Sequence, residues 1–419
     1  MRILVVGGGG REHAVVKALR KSPRAGKIFC APGNGGISSD AECVSIDALD
    51  IEGMVGFAKS KRIDLVCVTP DDPLCAGMTD AMNTEGIRAF GPVKKAAMME
   101  GSKVFSKGLM KKYGIPTGGY EVFDNHEAAY GYIKKHELPV VIKADGLALG
   151  KGVLICDSTK DALQGVDEIM VKGKFGKSGS KVVIEDFLKG PEVTVLSFCD
   201  GDTLKTMPAA QDHKKAFDGD KGLNTGGMGA FSPVQAYTPE IEGFCKEKIF
   251  KPTIDAMKSE GIIFKGILYF GLILTEDGPK VLEYNARFGD PEAQVILPLL
   301  KTDLLTVFDA CIDGKLDSTE IGWSEDSVVC VVLASGGYPG EYKKGFEIKG
   351  LDSIAENDDA LIYHAGTRTE NGRYYTNGGR VIGVTAKAPT LNAARERAYN
   401  MAGRIMFEGM FYRKDIGIK

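Results

Sequence analysis

The amino-acid sequence predicts a multidomain protein of mixed α/β and α+β class. Strand-like and helix-like pieces alternate through about the first hundred residues, an apolar hairpin occurs in the middle of the chain, and about the last ninety residues are mainly β-like. A chain of 419 residues is too long for one hydrophobic core, so about two to four domains are expected.

The N-terminal domain is expected to be a parallel, Rossmann-like α/β unit over residues 1–101. An amphipathic pattern predicts a helix over 11–21. Apolar runs predict strands at 2–6, 27–31, 63–69 and 87–90. The stretch FGPVKKAAMMEGSK at 90–103 indicates a boundary, because Gly-Pro interrupts a strand and a helical pattern follows.

Two further domains are predicted. Residues 102–320 form the second, with a lid subdomain at about 115–190 that contains the strands LPVVIKA, GVLICD and KVVIEDF. The rest of this domain contains the strands ILYFGLILT and PKVLEYN around the turn EDG. Residues 325–419 form a mainly-β C-terminal domain with the strands VVCVVLAS, ALIYHAG and GRVIGVTA and a closing helix at 389–407.

Composition limits the partners that we expect. The net charge of −3 argues against a nucleic-acid or anionic-membrane surface, and no apolar run is long enough to span a membrane. The start of the chain lacks the pattern of a signal peptide, and none of the nine cysteines forms a C-x-x-C pair. We therefore expect a cytoplasmic protein with reduced thiols and small-molecule partners, and a monomer is the expected state.

The opening stretch GGGGREHA follows a strand and enters a helix, which is typical of a phosphate-binding loop. The dinucleotide fingerprint fails here, because its third glycine falls on Glu12 or His13 and no acid ends the second strand. A single phosphate monoester fits better, and a merely tight turn is the alternative. The candidate residues are Gly8, Gly9, Gly10, Arg11 and, from PGNGG, Asn34.

A nucleotide site is predicted across two segments. Lys103 opens a helix and Lys143 closes a strand, so each can place an ammonium on phosphates, although either alone is more often a solvated residue. The loop GKFGKSGSK at 173–181 can close over a polyphosphate, with a plain flexible hairpin as the alternative. Its candidates and those of the following strand are Lys174, Gly176, Ser178, Gly179, Glu185, Phe187, Leu188 and Glu192.

The strand PKVLEYN predicts a metal site. Glu283 and Asn285 are two residues apart and therefore face the same side of a strand. A carboxylate beside an amide oxygen suits Mg²⁺ or Mn²⁺, with phosphates filling other positions. If the strand continues, Arg287 lies on that face and can stabilise charge on a transferred phosphoryl group. Asp290 and Glu292 follow and can orient a second substrate.

These features in this order resemble the ATP-grasp superfamily. The longer motifs GGGGREHA, KADGLALGKGV, QDHKKAFDGDKGLNTGGMGAFSP, EYNARFGDPEAQ and TNGGRV closely resemble the phosphoribosylamine–glycine ligase family over essentially the whole chain. The resemblance implies ATP on the lysines, the 173–180 loop and the hinge, and a metal ion on Glu283 and Asn285. It also implies 5-phosphoribosylamine and glycine between the N-terminal loop, the 212–229 stretch with Asp212, His213 and Lys214, Arg287 and the C-terminal domain with Arg380.

The resemblance further implies that glycine reacts with ATP to give glycyl phosphate, which the amine of phosphoribosylamine then attacks. Arg287, Asp290 and Asp212 are the catalytic candidates, and the proton acceptor stays open among Asp212, His213 and Asp290. Other readings are a sister ATP-grasp carboxylase or ligase acting on another ribonucleotide, an NAD-dependent oxidoreductase, and a non-catalytic nucleotide-binding module.

Three positions depart from the family's usual pattern. Asp71 replaces a glutamate, and Leu149 replaces a small alanine, both near expected substrate walls. Many ATP-grasp enzymes carry a carboxylate twelve residues before the E-x-N glutamate, and here that position is Gly271. A tightly held second metal ion is therefore not expected.

Overall fold

The computed structural model describes residues 1–147 and 152–418, and the departure expected at Leu149 lies outside these residues. Within this part of the chain, the predicted mixed α/β architecture is confirmed. No helix among the described residues is long and apolar enough to cross a membrane.

The N-terminal region is a parallel five-stranded sheet with the strand order β3-β2-β1-β4-β5. The predicted strands and the predicted first helix are all present, and the Gly-Pro boundary precedes a helix as expected. The elements are β1 (Arg2–Gly7), α1 (Gly10–Arg20), β2 (Lys27–Pro32), β3 (Glu42–Cys43), α2 (Ile51–Lys61), β4 (Leu65–Val68), α3 (Asp71–Ala76), α4 (Met78–Thr84), β5 (Ala89–Phe90), α5 (Lys94–Gly101) and α6 (Lys103–Tyr113).

A small antiparallel sheet with its own hydrophobic core follows. Its strand order is β6-β9-β7-β8, and apolar side chains of its sheet and helices form a cluster separate from the two larger cores. The elements are β6 (Tyr120–Phe123), α7 (His126–Ile133), β7 (Val140–Ala144), β8 (Val153–Cys156), α8 (Thr159–Val166) and β9 (Val182–Asp186).

The central sheet carries the predicted apolar hairpin. Its strand order is β11-β10-β16-β17, and β16 and β17 pair antiparallel around the Glu-Asp-Gly turn. The elements of this region are β10 (Glu192–Asp200), β11 (Leu204–Thr206), β12 (Gln211–Asp212), β13 (Lys215–Phe217), β14 (Lys221–Asn224), β15 (Gly229–Ser232), α9 (Pro239–Cys245), α10 (Lys251–Ser259), β16 (Lys265–Thr275), β17 (Gly278–Asn285), α11 (Ala293–Ile296) and α12 (Leu304–Asp313).

The C-terminal region is mainly β, as predicted, with one closing helix. Its elements are β18 (Ser327–Ala334), β19 (Glu347–Ile348), β20 (Ala360–His364), β21 (Thr367–Glu370), β22 (Arg373–Thr376), β23 (Arg380–Ala388) and α13 (Leu391–Ala402). The main sheet here has the order β12-β15-β18-β23-β20. Two strands from the predicted middle domain, β12 and β15, therefore complete the C-terminal sheet.

Candidate active site

The metal candidates lie at the end of β17. Glu283 pairs with Gly271 on β16, and Asn285 pairs with Tyr269. The Asn285 amide makes no hydrogen bond among the described residues, and within this part of the chain the Glu283 carboxylate meets one cation within 4 Å, Lys214 Nζ at 3.9 Å. These two hard oxygen donors are thus not consumed by short contacts within the protein, which fits a divalent cation.

The electrostatic surroundings of Glu283 favour its charged form. Burial alone would raise the pKa of this carboxyl group, but Lys214, Lys143 and Lys103 nearby outweigh burial and lower it. The described residues contain no group of three or more His, Cys, Asp or Glu side chains able to hold a metal ion. A cation on Glu283 and Asn285 would therefore need phosphate or water oxygens to complete its shell.

On one side of β17 lies a group of buried lysines. Glu185 is 3% exposed, and its two carboxylate oxygens bind Lys143 Nζ at 2.9 Å and Lys107 Nζ at 2.8 Å. Lys143 Nζ also donates to the carbonyl of Leu282, the residue before Glu283, at 3.1 Å. We call Lys103, Lys107, Lys143 and Glu185 the nucleotide-side cluster.

Burial changes the acid–base properties of this cluster. It lowers the pKa of Lys107 to about 8, helped by the neighbouring Lys143 charge and opposed by Glu185. Burial also lowers the pKa of Lys103, whose ammonium donates to the carbonyl of Gly146 at 3.0 Å. The Glu185 pKa is lowered, because the two lysines outweigh its burial.

The predicted lid loop joins the helical region after α8 to β9. Ser178 Oγ donates to the carbonyl of Leu147 at 3.0 Å, and Gly176 has a positive φ of 55° that favours glycine. The exposed Lys174 pairs with Glu168 at 2.6 Å. Phe187 and Leu188 are half-buried after β9, and Gly179 is buried.

The opening glycine loop is closely packed. A side chain on Gly8 would lie 2.3 Å from the carbonyl oxygen of Gly33, so glycine is required there. The Gly9 N–H donates to Glu12 Oε2 at 2.6 Å, so a carboxylate of the protein already occupies one amide of the expected phosphate cradle. The side-chain amide of Asn34 is already engaged within the protein. Its Nδ2 donates to Gly8 O at 2.9 Å and to His364 O at 2.8 Å.

Arginine side chains beside this loop are paired with carboxylates. Arg11 Nε lies 2.6 Å from Glu12 Oε1, and Arg11 Nη1 donates to Phe288 O at 3.2 Å. Arg380 Nη1 donates to the carbonyl of Asp290 at 2.6 Å, and Arg380 Nη2 lies 3.4 Å from Asp290 Oδ2. These contacts draw Arg11, Asp290 and Arg380 together from three distant parts of the sequence.

Arg287 is held by a residue that the sequence analysis did not single out. Its Nη2 lies 2.5 Å from Glu100 Oε1. Burial raises the pKa of Glu100 to about 7, although Arg287 opposes that shift. We call Arg11, Glu12, Glu100, Arg287, Asp290 and Arg380 the acceptor-side cluster.

The 212–214 segment lies beside Glu192 and the metal candidate Glu283. Lys214 Nζ binds Glu192 Oε2 at 3.1 Å. Burial, together with Glu192 and other carboxylates and opposed by Lys214, raises the pKa of Asp212 to about 7. The His213 ring is 2% exposed and lies 5.9 Å from the ring of Phe231.

Two important residues escaped the sequence analysis. Lys107 lies four residues after Lys103 and therefore on the same helical face, which was an available signal. Glu100 lies on the preceding helix. No sequence pattern indicates its role, because its partner Arg287 is 187 positions further along the chain. Strand β17 ends at Asn285, so Arg287 lies beyond the strand and its position depends on Glu100.

Comparison with known proteins decides the family. A family model described as the ATP-grasp (A) domain of phosphoribosylglycinamide synthetase matches residues 101–293. Models of the N domain and the C domain of the same synthetase match residues 1–100 and 328–419. The chain belongs to the phosphoribosylglycinamide synthetase family. In this chain, the two strands β12 and β15 of the A-domain match are part of the sheet of the C-domain match.

Curated relatives agree with the family models. A phosphoribosylamine–glycine ligase of Caldanaerobacter subterraneus subsp. tengcongensis is 50% identical, with 99% of each chain covered. The ligase of Halalkalibacterium halodurans is 47% identical and aligns over 100% of this chain and 97% of its own.

Solved structures show the same fold. A crystal structure of phosphoribosylamine–glycine ligase from Thermotoga maritima has a TM-score of 0.84 at 35% identity, and the match covers 99% of this chain and 100% of the other. A biotin carboxylase domain from Hydrogenobacter thermophilus, solved with MgADP, has a TM-score of 0.76 at 16% identity over 98% and 91% of the two chains. The second likeness concerns the fold alone.

Proposed function

We propose that this chain ligates glycine to 5-phosphoribosylamine with ATP, giving glycinamide ribonucleotide, ADP and phosphate in purine biosynthesis. Family membership over three consecutive domains supports the activity. The structural observation that carries the proposal is the position of Lys143, whose ammonium touches both Glu185 of the hinge strand and Leu282 beside Glu283. A nucleotide bound at the hinge would therefore direct its phosphates toward β17.

The first chemical step makes glycine a better acyl donor. One carboxylate oxygen of glycine attacks the γ-phosphorus of ATP, the bond to the bridging oxygen breaks, and ADP leaves with glycyl phosphate formed. Glu283 and Asn285 would hold a divalent cation, which would neutralise phosphate charge. Lys103 and Lys143 supply fixed positive charge for the phosphates, and Arg287 stabilises the charge on the transferred group.

The second step forms the amide bond. The neutral amine of phosphoribosylamine attacks the carbonyl carbon of glycyl phosphate, inorganic phosphate leaves, and the amine nitrogen loses a proton. Of the three candidate acceptors, Asp212 has a pKa raised to about 7, whereas that of Asp290 is lowered because Arg380 and Arg11 outweigh its burial. Between these two carboxylates, the opposite directions of the pKa shifts favour Asp212 as the proton acceptor.

Substrate positions follow from the two clusters. ATP is proposed on the nucleotide-side cluster, the lid residues Lys174, Gly176, Ser178 and Gly179, and the hinge residues Glu185, Phe187, Leu188 and Glu192. Phosphoribosylamine and glycine are proposed on the acceptor side between Gly8–Gly10, Arg11, residues 212–214, Arg287 and Arg380. Asn34 supports the Gly8 backbone in this proposal, because its amide group is already bound to backbone groups. The lid excludes water, which would hydrolyse glycyl phosphate.

The finer properties belong to the same proposal. We expect Mg²⁺ or Mn²⁺ as the cation, a monomer in solution and a cytoplasmic location. All nine cysteines are free thiols, which is consistent with a reducing compartment. Light scattering on the purified chain measures the oligomeric state, and activity titrated with each chloride salt ranks the two cations.

The activity is tested by following ADP, phosphate and labelled glycine. We expect steady-state turnover of ATP to ADP that requires both glycine and phosphoribosylamine, with glycine incorporated into an acid-stable ribonucleotide. A sister carboxylase would instead release ADP with bicarbonate and leave glycine unused. That second pattern would refute the proposed acceptor and donor while leaving the nucleotide site in place.

A further inference from the structure

Glu100 joins α5 to the chain segment that follows β17. Its side chain is buried, with 7% of the residue exposed. One carboxylate oxygen lies 2.5 Å from Arg287 Nη2, and the other accepts a hydrogen bond from the Ala286 N–H at 2.8 Å. A single carboxylate thus binds the backbone of Ala286 and the side chain of Arg287, the two residues that follow Asn285.

The Nε–H group of Arg287 is available to a ligand. Its Nη1 donates to Phe288 O at 3.2 Å and its Nη2 meets Glu100, but its buried Nε has no partner among the described residues. A buried N–H without an acceptor is unfavourable, so such a group is expected where a ligand supplies the acceptor. The carboxylates of Asp71 and Glu292 also act on the Arg287 charge.

We propose that Glu100 is a positioning residue that holds the Arg287 guanidinium with its Nε–H directed at the group transferred between ATP, glycine and the ribosylamine. The role rests on the proposed function, because it assigns Arg287 to the reacting phosphoryl and acyl groups. Arg287 follows the end of β17, so the strand ladder does not fix its side chain. The contact with Glu100 supplies the orientation that the strand does not.

The substitution Glu100→Gln tests this role. Glutamine can still accept from the Ala286 N–H through its amide oxygen, but it presents an uncharged NH₂ group to the guanidinium. We expect kcat to fall about 10- to 100-fold, because small displacements of catalytic groups have effects of this size. The KM for ATP should change less than about 3-fold, since the nucleotide-side cluster is untouched.

A double-mutant cycle separates positioning from general destabilisation. If Glu100 acts through Arg287, the pair Glu100→Gln with Arg287→Lys should lower kcat no further than Arg287→Lys alone. The matched control is Asp200→Asn, because Asp200 is 4% exposed and accepts backbone N–H groups of Thr203 and Leu316 at the far end of β10. It should lower the thermal midpoint without lowering kcat.

The outcomes are distinguishable. Wild-type kcat in a folded Glu100→Gln variant, additive effects in the cycle, or an equal fall of kcat in Asp200→Asn would overturn the positioning role alone. A wild-type chain that makes no glycinamide product would overturn the proposed function and this role together. If Glu100→Gln does not fold, Glu100→Asp replaces it, with an expected kcat between the wild type and Arg287→Lys; a wild-type kcat there also overturns the role.

Discussion

The nucleotide side and the acceptor side of the site hold their charges in different ways. On the nucleotide side, Lys107 and Lys143 share one buried carboxylate, Glu185, and the Lys103 charge acts on Lys143, so the four-residue cluster has an excess of positive charge. On the acceptor side, each of the three arginines has its own carboxylate: Glu12, Glu100 and Asp290. Excess charge suits a polyphosphate, whereas paired guanidiniums are fixed in orientation and suit a small substrate.

The largest expected effect comes from replacing Glu283. Its carboxylate interacts electrostatically with Lys103 and Lys143 of the nucleotide-side cluster and with Arg287 of the acceptor-side cluster. Replacing Glu283 with alanine should lower ATP-dependent phosphate release by about 1,000-fold, because a lost metal ligand removes several kcal/mol of charge stabilisation. The exposed Glu276 on the same hairpin is the matched control. Full activity of Glu283→Ala, measured with its thermal midpoint unchanged, would mean that the metal lies elsewhere.

On the acceptor side, Arg11→Ala should raise the KM for phosphoribosylamine roughly 10- to 100-fold, the value of one charge-assisted hydrogen bond. The KM for ATP should change less than about 3-fold. Steady-state kinetics with each substrate varied in turn provide both values. Lys21→Ala, an exposed residue just after α1, serves as the control. Equal changes in the two KM values would remove the distinction between the clusters.

On the nucleotide side, Lys107→Met should raise the KM for ATP more than the KM for phosphoribosylamine. Removing this ammonium leaves Glu185 paired with Lys143 alone, so the positive charge available to phosphates falls by one unit. We expect a rise of roughly 10-fold in the KM for ATP. Lys111→Met on the exposed face of α6 should leave it unchanged. A larger rise in the KM for phosphoribosylamine than for ATP would contradict the division into two sides.

The smallest effect concerns a charge cluster outside both sides. His13 Nδ1 accepts from the His364 N–H at 2.8 Å, so its Nε2 donates to Asp40 at 2.9 Å. Burial opposes ionisation, but His13 and Lys17 lower the pKa of Asp40 well below its usual range. The ionised Asp40 therefore stabilises the folded state at pH values above about 4, the pKa of an aspartate in the unfolded chain. This contribution to the free energy of unfolding is lost progressively as the pH falls below that value.

Asp40→Asn should therefore cost about 1–3 kcal/mol of unfolding free energy at neutral pH and less at about pH 3. Urea unfolding at both values measures the difference, and the KM values should not move. A loss of stability that is the same at both pH values would show that the Asp40 charge has no role in the fold.

Much of the architecture could be predicted from the sequence, because hydrophobic periodicity is local. The hairpin of β16 and β17 and the alternation of Glu283 and Asn285 follow directly from a two-residue period. Gly271 pairs with Glu283, so the residue twelve positions earlier lies opposite this glutamate on β16, and the expectation of no second metal ion stays a prediction.

The charge partners were harder to predict, since tertiary contacts set them. Glu185 was expected only at the nucleotide hinge, and its two lysine partners emerged from the fold. The contact of Glu12 with the Gly9 amide had a readable signal, because an acid three residues after a helix cap is typical of a capping box. Strand β12 has only two residues and no periodicity, so its place in the C-terminal sheet could not be foreseen.

The shared sheet has a consequence for how this chain can be divided. Strand β15 pairs with β18, so a chain cut before Ser327 would lose the neighbour of β15 and expose a hydrogen-bonding edge. The 212–229 stretch, which is proposed to hold substrate, would lose its support at the same time. Exchange of segments between relatives should therefore succeed when residues 211–232 and 327–388 come from the same parent.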